Sequence, residues 1–242
     1  MIWVVGGTTE ALNLGKHLNR KPHIITYGTK EGAERGTANS IFKRMDSGEM
    51  EAFIKEHSID LILDVSHPFA KNVTENVRSA AERAGVKYLR YERKTTPMPD
   101  NALVVESFEE CYGLLKDISG VVFFSTGSNN VSEFEEIRRE NRFIYRILPT
   151  IESIIKVRSF GVGMEDIVAM MGPFSVELNI EMLKFYDAKY MVMKDSGAAG
   201  GTADKIKACE ALGVIPIVIG RSDQDENSDW ETFLAEVDRF AN

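Results

Sequence analysis

Short apolar runs of the buried-strand kind alternate with helical patterns along nearly the whole chain, and no other feature constrains the fold so tightly. IWVV (2–5) leads into a helix whose Ala11, Leu14, Gly15 and Leu18 share one face. HIITYG (23–28) is a second strand, and IFKRM (41–45) a short third beyond an irregular stretch. Ser47 caps a helix to about His57, and LILDV (61–65) reads as a fully buried parallel strand. The helix in SHPFAKNVTENVRSAAERAG stops at Gly85, and VKYLRYER (86–93) is the next strand. TTPMPDN (95–101) breaks the rhythm with two prolines. The alternation restarts at VVFF (121–124) and a helix presenting Val131, Phe134 and Ile137. FIYRILP (143–149), a helical region over 150–171, KYMVMK (189–194), IPIVIG (215–220) and a final amphipathic helix from Asp229 complete it.

Such alternation specifies an α/β protein with mostly parallel sheets and right-handed crossovers, and the break near residue 98 divides it into two Rossmann-like halves. The chain's 242 residues are enough for two cores. No apolar run approaches the length of a membrane span, and the N-terminus lacks the basic and small-residue flanks of a signal peptide, so no membrane association is expected. The two cysteines, Cys111 and Cys209, have no metal-binding spacing and fit a reducing cytoplasm. A net charge of −8 argues against nucleic-acid binding but leaves room for an anionic small ligand in a local cationic pocket.

Three glycine-rich turns follow strands, where ligands of open α/β sheets bind. They are Gly6-Gly7-Thr8-Thr9, Ser125-Thr126-Gly127-Ser128 and the run from Asp195 to Thr202 after Lys194. Each is open to two readings, a capped tight turn or a cradle for an anion; three at equivalent positions favour a ligand spanning both halves. Asp64-Val65-Ser66-His67-Pro68 places an imidazole after a buried strand, either as proton donor or at a helix start capped by Ser66. The second strand ends without the acid that holds a ribose in NAD sites. Lys30 and Arg35 follow it, either as readers of a 2′-phosphate or as charges balancing Glu31 and Glu34. Ser175 is a possible helix cap after Met171-Gly172-Pro173-Phe174, and no metal site is indicated.

GGTTEA (6–11), DVSHPFA (64–70), YLRYER (88–93), STG (125–127), RILP (146–149), MGPFSVELN (171–179), KDSGAAGGTADKI (194–206) and IVIGR (217–221) together resemble the precorrin-6A reductases, including the cobalt-precorrin-6A reductases. The resemblance spans residues 2 to 221. It implies NADPH-dependent reduction of a ring double bond of (cobalt-)precorrin-6A to (cobalt-)precorrin-6B in cobalamin biosynthesis. It also implies two Rossmann-like domains, dinucleotide-binding over 1–97 and substrate-binding over 98–242, with a cleft between them. Under it His67 is the catalytic candidate, and Gly6, Gly7, Thr8, Thr9, Lys30, Arg35 and Ser66 serve NADPH. The flat, polycarboxylate tetrapyrrole falls to Arg90, Arg93, Thr126, Gly127, Arg146, Lys194, Ser196, Gly197 and Arg221. Tyr91 and Phe174 either stack on its ring or pack in the core. The loop STGSNN departs from the family pattern, which has a more basic residue after the glycine. The rival readings are a reductase of another anionic conjugated substrate and a dinucleotide-binding redox sensor without turnover.

Overall fold

Ile2-Trp3-Val4-Val5 has no polar member, and as β1 (Ile2–Val5) it is buried along its length. In the computed structural model, which describes residues 1–197, 200–220 and 229–240, β1 is the middle strand of a five-stranded sheet. β2 (His23–Tyr27) and β4 (Leu61–Asp64) flank it, with β3 (Ser40–Phe42) and β5 (Lys87–Arg90) at the edges, in the order β3-β2-β1-β4-β5. All pairings are parallel, with Val5 opposite both Thr26 and Asp64. Such strands need helices on both faces. Val4, Ile25 and Leu63 pack beneath α1 (Thr9–His17), while Trp3 and Ile62 meet Met50 and Phe53 of α3 (Ser47–Glu56) and Val77 of α4 (Lys71–Ala84). A short α2 (Lys30–Glu34) follows β2.

The second sheet has six parallel strands in the order β6-β11-β10-β7-β8-β9. They are β6 (Leu103–Val105), β7 (Val121–Phe124), β8 (Arg142–Ile147), β9 (Ile167–Ala169), β10 (Tyr190–Lys194) and β11 (Ile215–Ile219). α5 (Phe108–Leu115), α6 (Val131–Ile137), α7 (Ile151–Ser159), α8 (Val176–Phe185) and α9 (Thr202–Leu212) connect them. Phe123, Ile144, Met191 and Met193 make a core with Leu183 of α8 and Ile206 and Cys209 of α9.

The α/β architecture with two parallel sheets is as expected, but several local expectations are corrected. The region 150–171 is not one helix: α7 ends at Ser159, Gly161 turns the chain at φ +85°, and the last residues form a 3₁₀ turn and β9. α2 falls in a stretch expected to be irregular, and β6 in one to which the sequence reading assigns no element. Asp46, not Ser47, caps α3, because its carboxylate accepts from Glu49 N (2.9 Å) while the Glu49 carboxylate accepts from Asp46 N (2.8 Å). Nor does Ser66 cap α4, which begins at Lys71 after the turn from His67 to Ala70.

The chain divides into two compact units between Lys94 and Thr95. The last helix, α10 (Trp230–Phe240), packs in the first unit through Phe233 and Val237, whereas the sequence reading places it with the C-terminal half.

Candidate active site

In the first unit the chain steps outward from β1 through β2 to β3, then returns to β4 on the other side of β1. Strand order therefore reverses between β1 and β4, the position at which open α/β sheets bind ligands. Gly6–Thr9 follows β1, and Val65–Pro68 follows β4. Thr8 Oγ1 donates to the Val65 carbonyl at 2.6 Å and ties the two loops together. Gly6 lies so close to β2 that an added Cβ would stand 3.0 Å from the Thr26 carbonyl oxygen. Gly7 has open space around its Cβ position and a φ of +130°. The Thr8 side chain does not cap α1, and of the leading N–H groups that of Glu10 meets its own carboxylate.

Glu10, buried in the first turn of α1, would oppose an anion there. Burial alone pushes its carboxyl pKa up, but hydrogen bonds and charge from Arg93 outweigh burial and hold it below the usual range. Arg93 grips Glu10 with two guanidinium nitrogens, one at 2.7 Å. Arg90 is likewise turned onto the chain's own acid, donating to Asp64 at 2.7 Å and Thr74 Oγ1 at 2.6 Å. Asp64 is fully buried and also accepts from Tyr88 Oη (2.8 Å) and Ser66 N (2.9 Å). Burial first, then the Asp64 charge, drives the Tyr88 phenol far up, so it stays a donor. Arg90 and Arg93, expected at substrate carboxylates, thus engage Asp64 and Glu10, and Arg90 steadies the loop that carries Ser66 and His67.

His67 is half-buried at this switch point, and its Nδ1 accepts from Phe69 N at 3.2 Å. An Nδ1 that accepts leaves the neutral ring's proton on Nε2. Ser66 is buried, its hydroxyl 3.4 Å from both Thr74 Oγ1 and Arg90 Nη1. Lys30 and Arg35 are exposed on and just after α2, whose cap is Thr29. Arg44, which the sequence reading passed over, donates to Gly28 O at 2.7 Å and so adds a cation at the end of β2. Tyr91 packs with Trp230 and Phe233.

The second unit repeats the geometry. β7 leads outward to β8 and β9, while β10 and β11 lie on its other side, so the reversal falls between β7 and β10. Thr126 and Gly127 follow β7; Lys194, Ser196 and Gly197 end and follow β10. Thr126 is buried and its hydroxyl has no partner among the described residues, and Gly127 turns at φ +83°. Asp195 organises the opposing loop by accepting from Thr96 Oγ1 (2.9 Å), Thr96 N (3.2 Å) and Gly197 N (3.2 Å). Ser196 N donates to Thr202 Oγ1 at 3.1 Å.

Arg146 near the end of β8 is buried with a neutral partner, the Asn179 Oδ1 at 2.8 Å, and lies over the rings of Phe174 (4.6 Å) and Phe123 (5.6 Å). Burial pushes its pKa down to about 10. Lys194 is half-buried, lies 5.4 Å from the Phe108 ring, and is also pushed down by burial. Lys205 of α9 joins these cations; it has no place in the sequence reading. Its signal is legible in hindsight, since it falls on the inward face of α9 with Thr202, Ile206 and Cys209. Arg221 lies outside the described residues. Among the described residues no group of acids, cysteines and histidines can hold a metal, and no helix is long and apolar enough to cross a membrane.

These two glycine-lined switch points lie in a chain whose residues 1–238 match the model of the "Precorrin-6x reductase CbiJ/CobK" family. The chain belongs to that family. This reductase is 31% identical to the cobalt-precorrin-6A reductase of Methanococcus maripaludis, over 100% of this chain and 99% of the relative. Its identity to the cobalt-precorrin-6A reductase of Methanocaldococcus jannaschii is 32%, over 84% and 83% of the two chains. The relative from Priestia megaterium, of the same name, is 29% identical over 100% and 98%. A solved structure titled "CobK precorrin-6A reductase" shares the reductase's fold, with a TM-score of 0.84 at 20% identity over 99% and 96% of the chains. Membership makes the protein an oxidoreductase of cobalamin biosynthesis.

Proposed function

We propose that this reductase uses NADPH to reduce one ring double bond of cobalt-precorrin-6A, giving cobalt-precorrin-6B, a reaction at a CH–CH group. Family membership over residues 1–238 carries the reading, and the relatives named above favour the cobalt-containing macrocycle. The two free, buried thiols, Cys111 and Cys209, are consistent with a reducing cytoplasm.

The residues of the first switch point fit a dinucleotide. The N-terminus of α1, not capped by Thr8, and the open backbone at Gly7 suit a pyrophosphate, with Thr8 and Thr9 beside it and Glu10 neutralised by Arg93. Lys30 and Arg35, joined by Arg44, supply positive charge for a 2′-phosphate at the end of β2. The nicotinamide, when bound, supplies the hydride. His67 holds a proton at Nε2 and delivers it to the ring carbon next to the one reduced, while Ser66 and Arg90 keep its loop in place. Arg146 and Lys194 hold ring carboxylates between the Thr126-Gly127 and Ser196-Gly197 turns, and Arg221 belongs to the same set.

The test is anaerobic turnover of cobalt-precorrin-6A, with NADPH and NADH as alternative donors. Oxidation of one NADPH per macrocycle and a preference over NADH are expected. That preference should weaken roughly tenfold or more when Lys30 and Arg35 are both replaced by alanine. No oxidation of either donor overturns the reaction; an undiminished preference in the double variant removes these two residues from the cofactor site.

A further inference from the structure

Lys205 stands on the inward face of α9 and is only 6% exposed. A buried ammonium loses its water shell and ordinarily recovers the loss through an acceptor. Among the described residues the Lys205 ammonium makes no hydrogen bond or ion pair. Its charged surroundings are mostly of its own sign. Arg146 from β8 and Lys194 from β10 both repel it, and Asp195 is the carboxylate named against them among the described residues. Asp195 already accepts from Thr96 and from Gly197 N, and among the described residues Arg146 meets the Asn179 amide oxygen, the Met182 sulfur at 3.9 Å and two aromatic rings, all of them neutral. Thr126, more than nine-tenths buried on the neighbouring strand's loop, has a hydroxyl without a partner among the described residues.

Three cations that act on one another, with the described carboxylate beside them already committed and an unsatisfied hydroxyl on the loop of the adjacent strand, are complementary to an oxyanion. We propose that Lys205, together with Arg146 and Lys194, forms an oxyanion-binding site at the carboxyl end of β10 that takes a carboxylate of the substrate. Naming the substrate rests on the reaction proposed above; the oxyanion chemistry itself does not. Burial, then the Arg146 charge, with a smaller contribution from Lys194, pushes the Lys205 ammonium down to about 7, against opposing pulls from Asp195 and Cys209. An arriving carboxylate reverses that imbalance, so binding above neutral pH takes up a proton.

Uroporphyrin, a tetrapyrrole octacarboxylate, and NADP⁺ are to be titrated separately against the parent and Lys205→Met proteins, with thermal unfolding followed in parallel. Lys205→Met should bind uroporphyrin roughly tenfold or more weakly, bind NADP⁺ as the parent does, and unfold at the same or a higher temperature. Calorimetry in two buffers of different ionisation enthalpy should show proton uptake on porphyrin binding in the parent and its loss in the variant. Parental porphyrin affinity in the variant overturns the site. Weakened NADP⁺ with unchanged porphyrin binding assigns the oxyanion to a cofactor phosphate and overturns the carboxylate assignment. Should Lys205→Met not fold, Lys205→Arg decides: retained porphyrin binding supports the site, and its loss in a folded protein overturns it. A parent that consumes no NADPH with cobalt-precorrin-6A sinks the proposed reaction, yet the porphyrin titration still tests the site.

Discussion

Arg90 and Arg146 are equally buried, each 8% exposed near the end of a strand, yet their partners set them apart. Burial lowers the pKa of both. At Arg90 the Asp64 carboxylate, with Tyr88 and Glu92, outweighs burial and holds the guanidinium above its ordinary value; at Arg146 nothing offsets burial. The first arginine is bound to the chain's own carboxylate; the second is held by a neutral amide, which is why the proposed function assigns it a ligand carboxylate. Lys205 carries the same logic further, and its pH dependence has a definite sign. Its folded-state pKa of about 7 lies below the 10.5 of the unfolded chain, so between these values the unfolded state binds more protons. Stability therefore rises as pH climbs through that window, by a few kcal/mol at most. Urea unfolding at the two ends should show a steeper rise in the parent than in Lys205→Met, and equal slopes would refute the assignment. His67→Asn should lower kcat by about 10²-fold or more with little change in NADPH affinity, as expected for a proton donor. Collapse of NADPH binding instead would make His67 a cofactor contact.

At the scale of the element, the turn from β1 to α1 depends on two glycines for different reasons. Gly6 has no room: a Cβ would meet the Thr26 carbonyl at 3.0 Å, the Ile25 side chain at 3.2 Å and the Ala11 Cβ at 3.3 Å. Gly7 has room but a φ of +130° that L-residues rarely adopt. Gly6→Ala should cost about 1–3 kcal/mol by overpacking and weaken NADPH through the displaced turn. Thermal unfolding and NADPH titration check both, and parental values in both would show that the backbone there yields freely. Such turns are legible in sequence because strand, glycine and helix start are adjacent in the chain. The stretch 150–171 was not legible in the same way. β9 has three residues and exists through its register with β8, Tyr145 opposite Ile167, a pairing no local pattern announces. A capping box is local, and Asp46 with Glu49 was there to be read; Ser47 merely stood next to it.

For the molecule as a whole, the chain's end belongs to its beginning. α10 buries Phe233 and Val237 completely against the core that holds Val4, Leu14 and Leu63. Deleting it exposes that core, and the first unit should lose roughly 3–6 kcal/mol at the ordinary value of burying two such side chains. Hydrogen exchange on the truncated protein should show faster exchange in β1, β2 and β4 while β7, β10 and β11 keep their protection; uniform loss in both units would contradict that division. Alternation of apolar strands with helices determined the α/β class, the strand-end turns and their residue types, because each depends on neighbours along the chain. The conjunction of motifs with SHPFA, MGPFS and KDSG indicated the family. Tertiary structure alone decided which way the charged side chains turn. Arg90 and Arg93 face Asp64 and Glu10, Lys205 is driven among Arg146 and Lys194, and α10 returns to the first core. Each of those outcomes depends on partners tens to hundreds of residues away, and burial sets its energy only once the chain has closed around it.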